Sequence, residues 1–262
     1  MYKDDLGDRM KKYEYITRTH LVPRMPVIIR LDGKAFHTFT RGFKKPFDDI
    51  LIASMQDTMK KLCENVQGCV LGYTQSDEIT LVLVDYQKLN TSSWFDYNIQ
   101  KCCSVVASMA TLYFSRAFAG RCFEYEAFAD DFDEDYYNTL VNAAQRGALF
   151  DARVFNIPKE EVTNCLLWRQ NDAARNSVSM VGQAYYSSKQ LHGKGSADIK
   201  EMLAKEKDVV WDDLLNQYKH GSCCIHIKDD NDRSKWIIDR DIPIWKGNGR
   251  EYIEKRIMIG EE

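Results

Sequence analysis

The sequence predicts an α+β fold: an antiparallel sheet built in β-α-β-β-α-β order, with two helices on one of its faces. Three observations lead there. Residues 27–31 (VIIRL) form a short apolar, β-branched run that ends at Asp32-Gly33, the mark of a buried strand. Residues 69–73 and 79–84 are two further strand-like runs separated only by TQSD and its neighbours, so they read as a hairpin. Apolar residues at helical spacing occupy the segments before and after that hairpin. Together these give the ferredoxin-like, split β-α-β arrangement.

The elements follow in order. Residues 1–20 are expected to be a helix, which Pro23 and Pro26 bring to an end. After the first strand, residues 34–46 read as a loop rich in Phe, Gly and Lys that closes at Pro46. Residues 47–65 carry Ile50, Leu51, Met55, Thr58, Met59 and Leu62 on one helical face. Residues 94–118 are a long helix with Ile99, Cys102, Cys103, Val106, Met109, Ala110, Tyr113 and Phe114 inward, and residues 152–157 (ARVFNI) are the last strand of the motif. A second helical block starts at Lys159 and breaks at residues 192–195. Short helices are expected near 197–205 and 211–219, then strands and loops from 223 to 262. The domain reading is a catalytic unit over residues 1–157, with residues 158–262 as a helical and strand extension packed on it.

Composition narrows the class. With 44% hydrophobic and 29% charged residues, the 262-residue chain has the makeup of a globular protein. No run of about 18 apolar residues is evident, so no membrane span is expected. The charged N-terminus lacks an apolar signal core, so the cytoplasm is the expected location. None of the eight cysteines forms a CxxC pair, a poor pattern for zinc, and reduced thiols packed as small hydrophobes are expected. The net charge of −3 argues against a globally basic nucleic-acid binder. Charge is nevertheless uneven: residues 9–45 hold ten Lys/Arg against two acids, whereas residues 124–135 hold seven acids and no Lys or Arg. A basic stretch around a buried-looking acid, Asp32, suits a polyanionic ligand.

That acid has a complement. In the split β-α-β arrangement the first strand neighbours the hairpin, so Asp32 comes close to Asp77 and Glu78. Carboxylates held close together repel unless a cation sits between them. Mg²⁺ takes a few carboxylates together with substrate phosphates. Two such ions, roughly 3.5–4 Å apart, can activate a hydroxyl and stabilise a leaving oxygen in phosphoryl transfer. Gly33 would allow close approach of the main chain. Lys34, His37, Lys44 and Lys45 could then hold a triphosphate. On residues and spacing alone, a salt-bridged structural cluster or a solvated turn remains an open alternative. Polymerases and nucleotide cyclases build on this fold, as do many non-enzymes.

Longer motifs decide more. RLDGKAFHTF (residues 30–39) resembles the RLDGRxFHxF motif of the tRNAHis guanylyltransferase family, and Lys45, Pro46 and Asp48 resemble the K-P-x-D that follows it. YTQSDE (73–78) is similar to its YxQSDE, FDARV (150–154) to its FDGRV, and WRQND (168–172) to its WRQxD. The resemblance implies a polymerase-palm domain that adds nucleotides in the 3′–5′ direction to the 5′ end of tRNA. The 5′-phosphate is activated, typically with ATP, and the 3′-hydroxyl of an incoming nucleoside triphosphate such as GTP then attacks. It implies Asp32, the Gly33 carbonyl and Asp77 as ligands of two Mg²⁺ ions, with Glu78 as the supporting acid. Lys34, Ala35, Phe36, His37, Lys45, Asp48, Ser76, Lys101 and Arg153 fall where the family contacts nucleotide. A homotetramer is also implied.

Departures qualify this. Where eukaryotic members follow WRQxD with a HINN-type segment tied to tRNAHis, this chain has AARNS (173–177). That resembles the bacterial and archaeal guanylyltransferase-like branch, which repairs 5′-truncated tRNAs. Asn98 stands where the family often has Arg, three residues before Lys101. A cyclase is disfavoured because QSDE lacks the glycines of a GGDEF-like turn. A non-catalytic RNA-binding module is disfavoured because both metal carboxylates are present. The stretch 233–256, with seven Lys/Arg against four acids, is a candidate for tRNA phosphate contacts.

Overall fold

The computed structural model of the chain describes residues 4–228 and 233–258. Helix α1 (Asp5–Ile16) starts where the Asp4 carboxylate accepts from the Gly7 amide at 2.9 Å, and it buries none of its residues. The expected helix over residues 1–20 is therefore shorter, and residues 1–3 lie outside the described residues. Strand β1 (Val27–Gly33) follows. Inside the expected loop, Phe36–Phe39 make one helical turn, α2, entered through Ala35 in the left-handed region. Helix α3 (Asp49–Asn65) is capped by Asp48, which accepts from the Leu51 amide at 3.0 Å, and it buries Met55, Met59 and Leu62.

Strands β2 (Cys69–Gln75) and β3 (Glu78–Leu83) form the expected hairpin, with Ser76-Asp77 as its turn. Ser76 has φ 49°, a left-handed conformation that costs a non-glycine residue. The next helix differs from expectation. Residues Trp94–Tyr97 form a separate 3-10 turn, so α4 spans Ile99–Phe128, with Asn98 capping the Lys101 amide at 3.0 Å. Part of the acidic run is not loop but the start of α5 (Glu134–Arg146). Asp133 caps it, Glu134 and Asp135 favour its N-terminal dipole, and Tyr136, Leu140 and Ala143 point inward. Strand β4 (Phe150–Asn156) completes the motif.

By length and composition alone α4 could cross a membrane, since it holds a stretch of high mean hydropathy with few charges; the small residues between its apolar ones break up any continuous apolar run. The apolar count along the sequence missed this. Here Cys102, Val106, Ala110, Phe114, Phe118 and Cys122 form a buried stripe in the core under the sheet.

The sheet has six strands in the order β4-β1-β3-β2-β5-β6, where β5 is Ser222–Lys228 and β6 is Ser234–Asp239. Every pairing is antiparallel. The first four strands are the predicted α+β motif. The extension lengthens the sheet by pairing β5 to β2. Alternation along β1 sends Ile29 and Leu31 to α3, α4 and α5, and sends Ile28 to the other face. That other face is covered by α6 (Lys159–Tyr185), through Val162 and Leu166, together with Trp245, Ile253 and Ile257. A third cluster joins the end of α6 to α7 (Ser196–Lys207), with Trp211 buried between them. All eight cysteines are free thiols.

Candidate active site

The register of β1 sets the site. Asp32 lies opposite Glu78 on β3 and opposite Asp151 on β4, so three acids stand side by side on the face toward α6. Like charges directly opposite in a sheet are destabilising unless compensated. Two of the three have a cation. Glu78 receives Arg169 Nε at 2.8 Å in a buried ion pair, with the two side chains 8% and 11% exposed. Asp151 has Arg153 at 3.6 Å, with both groups half exposed. Among the described residues, no ion pair is formed by Asp32.

Asp77 stands beside Asp32, in the hairpin turn. Its main-chain carbonyl accepts from the Gly33 amide at 3.1 Å, which ties the end of β1 to the turn. Burial, and then the charge of Asp32, pushes the Asp77 carboxyl above the usual carboxylate range. Its own main-chain amide and the Ser76 hydroxyl, which donates at 3.1 Å, pull the other way. Two carboxylates thus sit close together, with one held back from ionising by its surroundings.

Gly33 is needed for packing as well as approach. A Cβ there would lie 2.2 Å from the Phe36 ring. That ring is core, packed at 5.1–5.6 Å from Phe39, Phe114 and Phe150, so the side chain of Phe36 is not a free ligand contact.

From these residues opens a cleft of about 570 Å³, lined by Asp32, Gly33, Ala35, Phe36, His37, Lys44, Lys45, Asp48, Ser76 and Asp77. Lys34 follows Gly33 and is exposed, with its amide donating to the Leu149 carbonyl at 2.8 Å. Asp48 is buried: one oxygen caps α3, and the other accepts from the Lys44 amide at 3.1 Å and the Tyr136 hydroxyl at 2.6 Å. It therefore fixes the basic loop to the helix below. Lys44 lies over the Tyr136 ring at 4.4 Å, which holds its ammonium at the cleft. Lys44 was readable in the basic loop. Its seat on Tyr136, and the wall contributed by Met180 and Gln183 of α6, had no local signal.

Two expected residues are not brought to this cleft. Lys101 lies in the first turn of α4, whereas Phe114 packs against Phe36. Thirteen residues of helix separate the two, about 20 Å. Arg153 stands on the sheet face beside Arg30, its register partner, outside the cleft lining.

A family model described as tRNAHis guanylyltransferase matches residues 7–158, more than half of the chain. A solved bacterial tRNA(His) guanylyltransferase-like protein in complex with ATP is 40% identical. It superposes with TM-score 0.82, covering 98% of this chain and 100% of that one. The chain belongs to the tRNAHis guanylyltransferase family. It is thus a nucleotidyltransferase. A probable tRNA(His) guanylyltransferase of Mus musculus is 26% identical, over 86% of this chain and 74% of that protein. The tRNA(His) guanylyltransferase of Saccharomyces cerevisiae, 20% identical with TM-score 0.62, shares the fold over 81% of this chain and 90% of its own. The guanylyltransferase motifs read from the sequence meet around one cleft, apart from FDARV, on β4, and WRQND, on the α6 helix that covers that sheet face.

Proposed function

We propose that this guanylyltransferase-family member adds nucleotides in the 3′–5′ direction to the 5′ end of tRNA, and that it serves repair of truncated ends. The observation that carries the reading is the meeting of Asp32 and Asp77 at the mouth of a cleft lined by a basic loop. The bacterial guanylyltransferase-like structures in complex with ATP and with GTP, 40% and 38% identical, support ATP and GTP as its nucleotides. The higher identity to the bacterial protein than to the yeast enzyme, together with AARNS after WRQND, supports the repair branch.

The residues fit Mg²⁺. They offer two carboxylates, Asp32 in no ion pair among the described residues and Asp77 raised by burial and then by Asp32, plus the main chain of Gly33, all hard oxygen donors. No larger acidic cage forms among the described residues, which leaves coordination for phosphate and water. Asp32, the Gly33 carbonyl and Asp77 would hold two ions; when bound, these lower the pKa of an attacking hydroxyl and neutralise charge on the leaving group. The chain itself does the rest. Lys44 and Lys45 hold the triphosphate against the cleft, with Lys34 and His37 beside it. The Ser76 hydroxyl donates to the Asp77 carboxylate and holds it in the turn. Arg169 takes the charge of Glu78, so that acid props the hairpin rather than adding to the repulsion. The 5′-phosphate is first joined to AMP from ATP, with release of pyrophosphate. The 3′-hydroxyl of the incoming nucleotide then displaces AMP.

The exposed apolar face of α1 (Leu6, Met10, Tyr13 and Ile16) supports assembly with further copies, and we propose the tetramer on that basis. The test of function is incubation with ATP, Mg²⁺, all four nucleoside triphosphates and a 5′-monophosphorylated tRNA lacking its first nucleotide. An adenylylated intermediate and an extended product are expected, and both should be lost in Asp32→Asn and Asp77→Asn proteins that unfold like the parent. Extension by either variant at near-parental rate would overturn the metal assignment.

A further inference from the structure

The sheet face beyond Asp32 carries features that the nucleotide cleft does not use. Arg30 and Arg153 are direct register partners on β1 and β4, and β4 is the outer strand of the sheet. Two guanidiniums placed opposite each other repel, and the nearby acids do not settle the account. Asp151 is 3.6 Å from Arg153 and both are half exposed, while Arg30 keeps a buried Nε–H with no acceptor. An anion laid between the two arginines would relieve both costs.

Above them stands Trp168 on α6. Its side chain is 52% exposed, whereas Trp94, Trp211 and Trp245 are all at or below 7%. Arg169, which reaches Glu78, and buried Gln170, which bonds the Pro243 carbonyl and the Trp245 amide, explain how this part of α6 is anchored. Nothing in that anchoring requires an exposed indole next to it. The Arg30 guanidinium lies 5.4 Å and that of Arg169 4.6 Å from the Trp168 ring. With both cations this close, about half of the Trp168 surface still remains open to solvent. A rigid aromatic face beside paired arginines suits a nucleobase next to its phosphate.

We infer that Trp168, Arg30 and Arg153 form the seat of the RNA 5′ end, with the terminal base stacked on Trp168 and its phosphate between the arginines. This rests on the proposed activity and deepens it. Arg30 precedes Asp32 by two residues on the same strand face, about 7 Å along β1, so a phosphate held there lies next to the carboxylates. The cleft with Lys44 and Lys45 is left for the incoming triphosphate. The two reactants then meet at Asp32 from different sides.

A free nucleotide offers the same base and phosphate, so the test separates the two. Tryptophan emission is followed during titration with 5′-phosphorylated truncated tRNA and, separately, with ATP. Binding of labelled tRNA is measured for the parent, Trp168→Ala and Trp168→Tyr. The expected results are quenching by tRNA but not by ATP, and disappearance of that quench in Trp168→Tyr. Trp168→Ala should bind tRNA roughly tenfold more weakly, with most of the affinity kept by Tyr. Equal tRNA affinity of Trp168→Ala and the parent, or a quench by ATP as large as that by tRNA, overturns this seat alone. A parent protein that binds no tRNA overturns the proposed activity, and the seat with it.

Discussion

Replacing Arg169 by Met should unfold the protein more readily than its position on a surface helix suggests. The Arg169–Glu78 pair is 2.8 Å long, with side chains 11% and 8% exposed. Removing the guanidinium leaves the Glu78 carboxylate buried without its counter-ion, a loss of about 3–5 kcal/mol. Asp172 also loses this partner, but it keeps Arg175 at 2.7 Å and stands partly in water, so it adds little. For 262 residues the unfolding entropy near the midpoint is about 0.55 kcal/mol/K, so Tm should fall by about 5–9 °C. Adding Glu78→Gln removes the stranded charge, and the double variant should lie within about 1–2 kcal/mol of the parent. Urea denaturation at pH 7 and calorimetry read both. If Arg169→Met stays within 1 kcal/mol of the parent, or the double variant is no better than the single, then the pair is not the anchor described here.

Further outcomes follow from other contacts. Gly33→Ala should cost about 1–3 kcal/mol in denaturation, because its Cβ meets the Phe36 ring at 2.2 Å, and Phe36→Leu in the same chain should recover part of it. Asp48→Ala removes the α3 cap and strands the Tyr136 hydroxyl, for about 2–4 kcal/mol, whereas Asp48→Asn should keep most of the stability in the same urea assay. His220 has its pKa lowered by burial and then by Lys219 and Lys200, so it is neutral in the native state at pH 7. The unfolded chain therefore takes up the proton first. Stability relative to His220→Asn should be constant above about pH 6.5, fall as the pH drops below it, and level off below the depressed native pKa. A difference between the two proteins that is flat from pH 7.5 to 4.5, measured by urea titration, would refute that.

How much could be read in advance follows from the range of each interaction. Strand β1, α3 and the hairpin carry local patterns, so residues 27–31, 47–65 and 69–84 placed them within a few positions. Helix α5 escaped because its first turn is acidic, and seven acids within twelve residues read as a solvated charge run before they read as a helix start. The end of α4 escaped because its small residues blur the apolar stripe.

The sequence by itself determined the motifs, the fold class and the meeting of Asp32 with the hairpin acids, since strand order follows from the element pattern and opposes Asp32 to Glu78. Only the tertiary structure decided what each acid does. Arg169 lies 91 residues from Glu78, and its guanidinium turned that acid into a buried ion pair. Asp151 came beside Asp32 through β4, and the position of Lys101 was settled by the length of α4. These assignments depend on which side chains from distant elements share one few-ångström space. No spacing along the chain encodes that, because it is set by how the helices cover each face of the sheet.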